Sequence, residues 1–227
     1  MFKGKATMTA MILAAGRGER MRPLTDKIPK PLIEVSGKAL IVWHIEKLAS
    51  LGFRDIVINI AHLGYMIPEF LGDGSEWGVN IKYSDEQKEG ALESAGGIAN
   101  ALKLISSDTF LVVNGDVLCD YEFDKSFELF DDLAHIILVE NPKHNPNGDF
   151  GIKENRATND GDEKYTFSGI GYYKRELFGD LEIKKAPLAP LLRSQIEKKR
   201  VSASLHLRKW HDVGTIERLR EAEATFV

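Results

Sequence analysis

The sequence lacks most features of a secreted or membrane protein. Cys119 is the single cysteine among 227 residues, so no internal disulfide can form and a reducing compartment is expected. No apolar run reaches the ~20 residues that cross a bilayer, and the N-terminal residues include no apolar stretch of signal-peptide length. We therefore expect a cytoplasmic protein with no membrane partner.

Excess positive charge is also lacking. The formal net charge is −4, so the chain has no overall basic field of the kind that nucleic-acid binding requires. The six histidines occur without HxxxH or CxxC spacing, which argues against a zinc site. We expect no nucleic-acid partner, and any cluster of cations must be a local arrangement that serves a smaller ligand.

Apolar strand-like segments alternate with helix-period segments in the first part of the chain. The strand-like segments are residues 10–14, 56–60, 79–83, 110–113 and 135–139. Helices are predicted between the first two of these segments, where the pattern stops at Gly52, and again between the third and fourth. Strands separated by helices are mostly parallel. The pattern predicts a single α/β domain of Rossmann-like, three-layer form, with helices on both faces of the sheet.

The rhythm changes in the last third of the chain. Residues 141–148 are rich in Asn, Pro and Gly, and a further strand is predicted over 165–173. Near the end, Thr215 is placed to act as the N-cap of a final helix. This part is expected to add a small inserted β region to the main sheet.

A loop rich in glycine and arginine follows the first strand directly. Residues 13–25 read LAAGRGERMRPLT, and PKPL follows at 29–32. Gly16 and Gly18 leave backbone N–H groups uncovered by side chains, so these groups can converge on an anion. The surrounding cations are Arg17, Arg20, Arg22 and Lys30. A dinucleotide fingerprint is excluded because Met21 stands where its third glycine is required. The loop predicts a highly anionic ligand such as a nucleoside triphosphate.

Two aspartates stand at positions suited to a metal ion. Asp116 ends the apolar segment LVVNGD, and therefore lies at the sheet edge where the first loop also begins. Taken alone, Asp116 suits either a metal ligand or an Asx-type turn that caps the strand end. Asp212 lies in WHDVGT at residues 210–215.

The loop and the two aspartates, in this order, resemble the sugar-phosphate nucleotidyltransferase family. The motif WxDVGT is similar to the second metal-binding motif of that family. The resemblance implies transfer of a nucleotidyl group to a sugar 1-phosphate, with Mg²⁺ held by Asp116 and Asp212. Arg20 and Lys30 would complete the catalytic set. A non-catalytic nucleotide-sugar sensor is the alternative of another class. Ala95, which replaces a family glycine, points that way, whereas retention of both metal ligands argues against it.

The resemblance also implies how the chain is divided. One nucleotidyltransferase domain would span residues 9–227, preceded by a lead of residues 1–8. Residues 9–140 would bind the nucleotide, and residues 141–227 would bind the sugar and supply the second metal motif.

The nucleotide site is implied in more detail. The residues that the resemblance assigns to it are Ala14, Ala15, Gly16, Arg17, Gly18, Glu86, Ser94, Gly96, Gly97 and Asn114. Among them, Glu86 is expected to accept from the N3–H of uracil, which favours a uridine or thymidine nucleotide over cytidine. Gly96 and Gly97 have an alternative interpretation, tight packing at a helix start.

The second half resembles one branch of the family, which uses UTP and N-acetylmuramate α-1-phosphate in peptidoglycan recycling. The segments that carry this resemblance are 141–150, 167–172 and 186–191. The sugar-binding residues so implied are Asn147, Gly148, Asp149, Ser168 and Gly169. Lys209 is expected to pair with the lactyl carboxylate, and Arg208 is the alternative. Glucose 1-phosphate thymidylyl- or uridylyltransferase and mannose 1-phosphate guanylyltransferase remain alternative activities, and nothing in the pattern specifies an oligomeric state.

Overall fold

The structure is a computed structural model that describes residues 7–88, 90–161 and 163–226. Residues 1–6 of the expected lead lie outside the described residues. Met8, which was assigned to that lead, is instead buried against the core. No helix within the described ranges is long and apolar enough to cross a membrane.

The strands and helices follow the predicted alternation in the first half of the chain. The strands are β1 (Ala10–Leu13), β2 (Glu34–Val35), β3 (Lys38–Ala39), β4 (Asp55–Ile60), β5 (Asn80–Asp85), β6 (Thr109–Asn114), β7 (Val117–Cys119), β8 (Ala134–Val139), β9 (Gly151–Lys153), β10 (Arg156–Thr158), β11 (Thr166–Lys174), β12 (Val201–His206) and β13 (Trp210–Asp212). The α-helices are α1 (Leu40–Ser50), α2 (Met66–Leu71), α3 (Glu93–Ala101), α4 (Leu188–Glu197) and α5 (Ile216–Thr225).

Nine strands form one central sheet in the order β5-β4-β1-β6-β11-β8-β12-β10-β9. The block β5-β4-β1-β6 is parallel, as expected for strands joined through helices. Its register places Leu13 beside both Asn59 and Asn114. The carboxyl ends of these three strands therefore meet at one edge of the sheet, where ligands bind in open α/β folds.

The second half of the sheet is mixed. β11 lies antiparallel between β6 and β8, with a register shift between Phe167 and Gly171, whereas β12 is parallel to β8. The hairpin of β9 and β10 closes this side of the sheet. These strands are the added β region that the sequence predicts after residue 140.

The apolar residues of β1 show why the fold has three layers. Met11 and Ile12 are neighbours that point to opposite faces of the sheet, and both are fully buried. Ile12 packs in the cluster that contains Ile45 of α1, while Met11 packs in the cluster that contains Ile98 of α3. Helices thus cover both faces, and the predicted fold class is confirmed.

A small second sheet connects the end of the chain to the site. β13 pairs antiparallel with β7, and Asp212 lies opposite Val117. The Oγ1 atom of Thr215 accepts from the amide of Arg218 at 3.2 Å, so Thr215 caps α5 as predicted. Val213 packs with Met21 of the first loop in an apolar cluster. The last motif of the chain is therefore fixed against the first.

Candidate active site

A cavity of about 490 Å³ opens at the carboxyl edge of β1, β4 and β6. The lining residues that the sequence predicted are Ala14, Ala15, Gly16, Gly18, Arg20, Lys30, Ser94, Asn114 and Asp116. Gly214 of the second metal motif also borders it. One cavity thus brings together residues that lie about two hundred positions apart in the chain. We refer to it below as the nucleotide cavity.

The first loop is held open by its own contacts. Gly18 has φ +68°, and an added Cβ would lie 2.8 Å from Cγ2 of Thr25. The Thr25 hydroxyl donates to the Gly18 carbonyl at 2.9 Å. At Gly16, by contrast, no heavy atom of the described residues other than Gly16 and its two chain neighbours lies within 4 Å of an added Cβ, so this backbone faces free space. Arg17 is exposed and pairs at 3.9 Å with Glu19; Glu19 lines the nucleotide cavity, whereas Arg17 does not.

Lys30 and Asp116 form a close ion pair. Lys30 Nζ donates to Asp116 Oδ2 at 2.5 Å, and the side chains are 12% and 29% exposed. Pro29 and Pro31 fix the backbone on either side of Lys30, which restricts where the ammonium can lie. A charge-assisted bond in a half-buried site is strong, so Lys30 and Asp116 hold each other at the cavity wall.

Asp212 has a corresponding cation, which the sequence interpretation missed. Arg218 Nη1 donates to Asp212 Oδ2 at 2.5 Å, and the Arg218 side chain is 12% exposed. His144 Nε2 lies 2.9 Å from the same guanidinium nitrogen and 3.4 Å from Asp212 Oδ1. The only sequence signal for Arg218 was its place in the first turn of α5, directly after the metal motif.

Glu86 does not reach the nucleotide cavity in the way the resemblance implied. Its side chain is fully buried, and its carboxylate accepts from Asn59 Nδ2 at 2.8 Å and from the amide of Leu92 at 2.8 Å. Asn59 in turn accepts from the amide of Ala14 at 2.7 Å and lines the cavity itself. Glu86 therefore orients Asn59, and Asn59 presents the polar surface beside the first loop. The missed signal was an asparagine near the end of the apolar run DIVINI.

Gly96 and Gly97 are explained by packing. An added Cβ at Gly97 would lie 2.7 Å from Glu86 Oε1, and one at Gly96 would collide with the carbonyl of Lys184. Ser94 lines the cavity, although its hydroxyl also accepts from the amide of Leu188 at 3.0 Å. The alternative interpretation, tight packing at a helix start, therefore describes both glycines.

A second cavity of about 590 Å³ adjoins the first and shares Arg20 with it. It lies between the turn-rich segment after β8, the metal motif and α5. Its basic residues are Arg20, Lys143, His144, His206, Arg208, His211 and Arg218. Trp210 also lines it, and so do four carboxylates, those of Glu140, Asp212, Glu217 and Glu221. We call it the acceptor cavity, since an anion held in it would lie beside Arg20 and Arg218.

Lys209 lies outside the acceptor cavity, which corrects its assignment. Its Nζ donates to the carbonyl of Thr225 at 3.0 Å and lies 5.9 Å from the ring centre of Phe226, at the far end of α5. Arg208, the alternative, does line the cavity and forms an ion pair with Asp120 at 3.1 Å.

The other expected sugar contacts are engaged within the fold. The Ser168 hydroxyl is buried and donates to the carbonyl of Ile137 at 2.7 Å. Asp149 accepts from the amide of Phe167 at 2.8 Å. The remaining three of these residues, Asn147, Gly148 and Gly169, also lie outside the lining of the acceptor cavity. They shape the β region behind the cavity wall, whereas the wall itself comes from segments 139–144 and 206–221.

Comparison with known proteins places the chain in a family. The family model for nucleotidyl transferases matches residues 9–226. The N-acetylmuramate alpha-1-phosphate uridylyltransferase of Neisseria meningitidis serogroup B is 53% identical over 226 residues, which cover 96% of this chain and 97% of that protein. A Synechocystis UTP–glucose-1-phosphate uridylyltransferase is 40% identical over 141 residues, 58% of this chain and 36% of that protein.

Solved structures agree on the fold. HddC from Yersinia pseudotuberculosis superimposes with a TM-score of 0.77 at 23% identity, covering 97% of this chain and 100% of that one. The crystal structure of a Bacillus anthracis protein described as a glucose-1-phosphate thymidylyltransferase gives a TM-score of 0.82 at 24% identity, covering 96% and 94%. With the family model matching nearly its whole length, this chain belongs to the nucleotidyl transferase family.

Proposed function

We propose that the protein transfers UMP from UTP to N-acetylmuramate α-1-phosphate, giving UDP-N-acetylmuramate and pyrophosphate. The observation that carries this proposal is the near full-length match to a uridylyltransferase of that specificity. Two adjoining cavities support it because the reaction joins two anionic substrates: one is built on the glycine loop, and the other is lined by Arg20, Lys143, Arg208 and Arg218 beside four carboxylates.

The reaction needs little acid–base chemistry from the protein. An oxygen of the sugar 1-phosphate attacks the α-phosphorus of UTP, and the bond to the pyrophosphate oxygen breaks. A phosphate monoester has a second pKa of about 6, so the attacking group is already ionised near neutral pH. The protein's task is to bring two polyanions together and to stabilise the charge that develops on the departing pyrophosphate.

The residues of the nucleotide cavity suit that task. The backbone around Gly16 would offer N–H groups to the triphosphate. Lys30 and Arg20 add positive charge to the cavity wall, Lys30 beside Asp116 and Arg20 at the boundary with the acceptor cavity. Arg20 borders both cavities, so it is placed to contact phosphate groups of both substrates. Asn59, held by Glu86, presents a polar edge beside the first loop where the uracil would lie.

Asp116 and Asp212 have the chemistry of a magnesium site. Both offer carboxylate oxygens, and β7 and β13 bring them to one place. Within the described ranges, no group of three or more His, Cys, Asp or Glu side chains forms a metal site. Two carboxylates, completed by substrate phosphates and water, are the donor set that Mg²⁺ takes in phosphoryl-transfer enzymes. When bound, Mg²⁺ would neutralise charge on the transferring and leaving phosphates.

The acceptor cavity suits a sugar that carries an extra carboxylate. N-acetylmuramate differs from N-acetylglucosamine by a lactyl group, and a carboxylate without a cation would be costly to desolvate. Arg208 and Lys143 line the cavity and are the candidate partners for this group, with Arg208 exchanging its ion pair with Asp120 for the lactyl carboxylate. Because the reaction consumes UTP, we assign the activity to the cytoplasm.

A matrix of nucleoside triphosphates against sugar 1-phosphates tests the proposal. Pyrophosphate release should be fastest with UTP and N-acetylmuramate 1-phosphate, and should require a divalent cation. Faster release with glucose 1-phosphate or mannose 1-phosphate would show that one of these sugars, and not N-acetylmuramate, is the acceptor. Binding of UTP and UDP-sugar without any pyrophosphate release would instead identify a sensor.

A further inference from the structure

Arg218 occupies an unusual position for a cation beside a metal ligand. It donates to Asp212 Oδ2 at 2.5 Å, lies 2.9 Å from His144 Nε2, and is largely buried in the wall of the acceptor cavity. A metal ion that binds Asp212 must share this carboxylate with the guanidinium or replace it. Arg218 and a divalent cation therefore compete for Asp212.

A second arginine meets Arg218 at the same place. An added Cβ on Gly214 would lie 2.9 Å from Cζ of Arg218 and 3.0 Å from Nη2 of Arg20. Both guanidinium groups thus converge over one glycine at the boundary between the two cavities. Two such groups form a strong site for a phosphate, because each can donate two parallel hydrogen bonds to its oxygens.

We propose that Arg218 is an exchangeable partner that couples binding of the sugar 1-phosphate to binding of the divalent cation. Without substrate, Arg218 pairs with Asp212. The phosphate of the incoming sugar takes Arg218, together with Arg20, and Asp212 is then open to the metal. The inference rests on the proposed function for one point, namely that the acceptor is a sugar 1-phosphate. Arg218 would contact the phosphate group, so the identity of the sugar does not enter.

Charge favours this exchange. At pH 7 the sugar phosphate carries about 1.5 to 2 negative charges, whereas the aspartate carries one. Moving the guanidinium to the phosphate leaves the carboxylate without its cation, which raises its affinity for Mg²⁺. By linkage, the metal must then strengthen binding of the sugar phosphate by the same factor.

Calorimetry on the whole protein without UTP tests the coupling in the absence of turnover. Mg²⁺ is titrated with and without saturating N-acetylmuramate 1-phosphate, after subtraction of the heat of Mg²⁺ binding to free sugar phosphate. In the wild type we expect the sugar phosphate to tighten Mg²⁺ binding by roughly tenfold. In Arg218→Gln, Mg²⁺ alone should bind several-fold more tightly and the sugar phosphate at least about tenfold more weakly. The coupling should fall well below the wild-type value, to what direct contact between the phosphate and Mg²⁺ contributes.

Arg220→Gln is the matched control. Arg220 is exposed on the same helix, two residues further on, and its variant should couple like the wild type. Circular dichroism checks that each variant is folded. If Arg218→Gln does not fold, the wild-type titration decides, because absence of coupling there overturns the inference. Weaker Mg²⁺ binding in a folded Arg218→Gln, or unchanged coupling, overturns it as well.

Glucose 1-phosphate as a second probe separates this inference from the proposed function. Coupling with glucose 1-phosphate but not with N-acetylmuramate 1-phosphate would overturn the proposed substrate and support the role of Arg218. Binding and turnover of N-acetylmuramate 1-phosphate without coupling would leave the proposed function standing and overturn the role of Arg218.

Discussion

The carbonyl of Asp116 accepts a hydrogen bond of 2.7 Å from the amide of Val213. This bond continues the pairing of β7 with β13 and joins the backbone beside one carboxylate to the backbone beside the other. The Asp116 and Asp212 side chains thus share one rigid support, although almost a hundred residues separate them in the chain. A site that must hold one ion between two strands needs such a support.

Removing either carboxylate charge should abolish most of the activity. Asp116→Asn and Asp212→Asn keep the size of the side chain, but a carboxamide binds Mg²⁺ far more weakly, so we expect turnover to fall by roughly two orders of magnitude or more. Pyrophosphate release over a range of Mg²⁺ concentrations measures this. Asp124→Asn is the control and should retain full activity. Asp124 Oδ1 accepts from the amide of Ser126. Full wild-type activity in a chelator would contradict the metal assignment.

The fold was predictable because local pattern and tertiary environment agree. Residues 10–13 are apolar on both faces, as a central parallel strand between two helical layers requires. The capping of α5 by Thr215 could also be predicted, since it depends on a neighbour three positions away. The first loop, Asp116 and Asp212 are short motifs of this kind.

The side-chain positions that the sequence did not predict depend on contacts between distant segments. Glu86 and Asn59 are both polar residues at strand ends, and only the packed structure decides which one faces the cavity and which one lies behind it. The choice between Lys209 and Arg208 depends on the end of α5, where Lys209 donates to the carbonyl of Thr225. The sequence around residues 208–212 does not contain that contact.

Lys30 should act mainly in the transition state. Its ammonium lies at the cavity wall beside Asp116. In the proposed reaction, negative charge would develop there on the departing pyrophosphate. We expect Lys30→Ala to lower kcat by about 100- to 1,000-fold with a smaller effect on KM, as for the loss of one preorganised donor. Lys27→Ala, an exposed lysine of the same loop, is the control. A change in KM alone would show that Lys30 contributes only ground-state binding.

Arg208, and not Lys209, should distinguish the two amino sugars. Arg208 lines the acceptor cavity, whereas Lys209 contacts the end of α5. Arg208→Ala should weaken use of N-acetylmuramate 1-phosphate by about 1 to 3 kcal/mol, the range for a charged hydrogen bond, with little loss for N-acetylglucosamine 1-phosphate. Lys209→Ala is the matched control and should behave as the wild type toward both. Equal losses on both sugars in Arg208→Ala would contradict a contact with the lactyl group.

Glu86 should affect stability more than base selectivity. Its carboxylate accepts from Asn59 Nδ2 and from the Leu92 amide, so the amide nitrogen in Glu86→Gln must face another donor. Leaving one buried donor unsatisfied costs about 1 to 3 kcal/mol, which urea denaturation would detect. The ratio of kcat/KM for UTP over CTP should change little. A large loss of that ratio in a variant of unchanged stability would indicate direct contact between Glu86 and the base. Asp85→Asn, next to it in the chain, controls for charge.

His135 should make the folded protein less stable as the pH falls. The ring is buried between the hydroxyls of Ser202 and Ser204, each 3.0 Å from a ring nitrogen, and burial lowers the pKa of His135 to about 4. In the unfolded chain the pKa is about 6.5, so above that pH both states are neutral and His135 contributes no pH dependence. Below it, the unfolded state binds a proton that the folded state excludes, and stability is lost down to a pH of about 4.

The size of this effect can be isolated with His135→Gln. An amide can bond to one or both serine hydroxyls but does not titrate. We expect the stability advantage of the wild type over His135→Gln to shrink by about 2 kcal/mol between pH 7.5 and pH 5, since each pKa unit corresponds to about 1.4 kcal/mol. Urea denaturation of both proteins at several pH values measures the difference and cancels the contribution of other groups, including buried His44, whose pKa burial also lowers. If the difference in stability between the two proteins stays constant with pH, His135 is protonated to the same extent in the folded and unfolded states. The two serine hydroxyls would then accept its N–H protons as readily as water does.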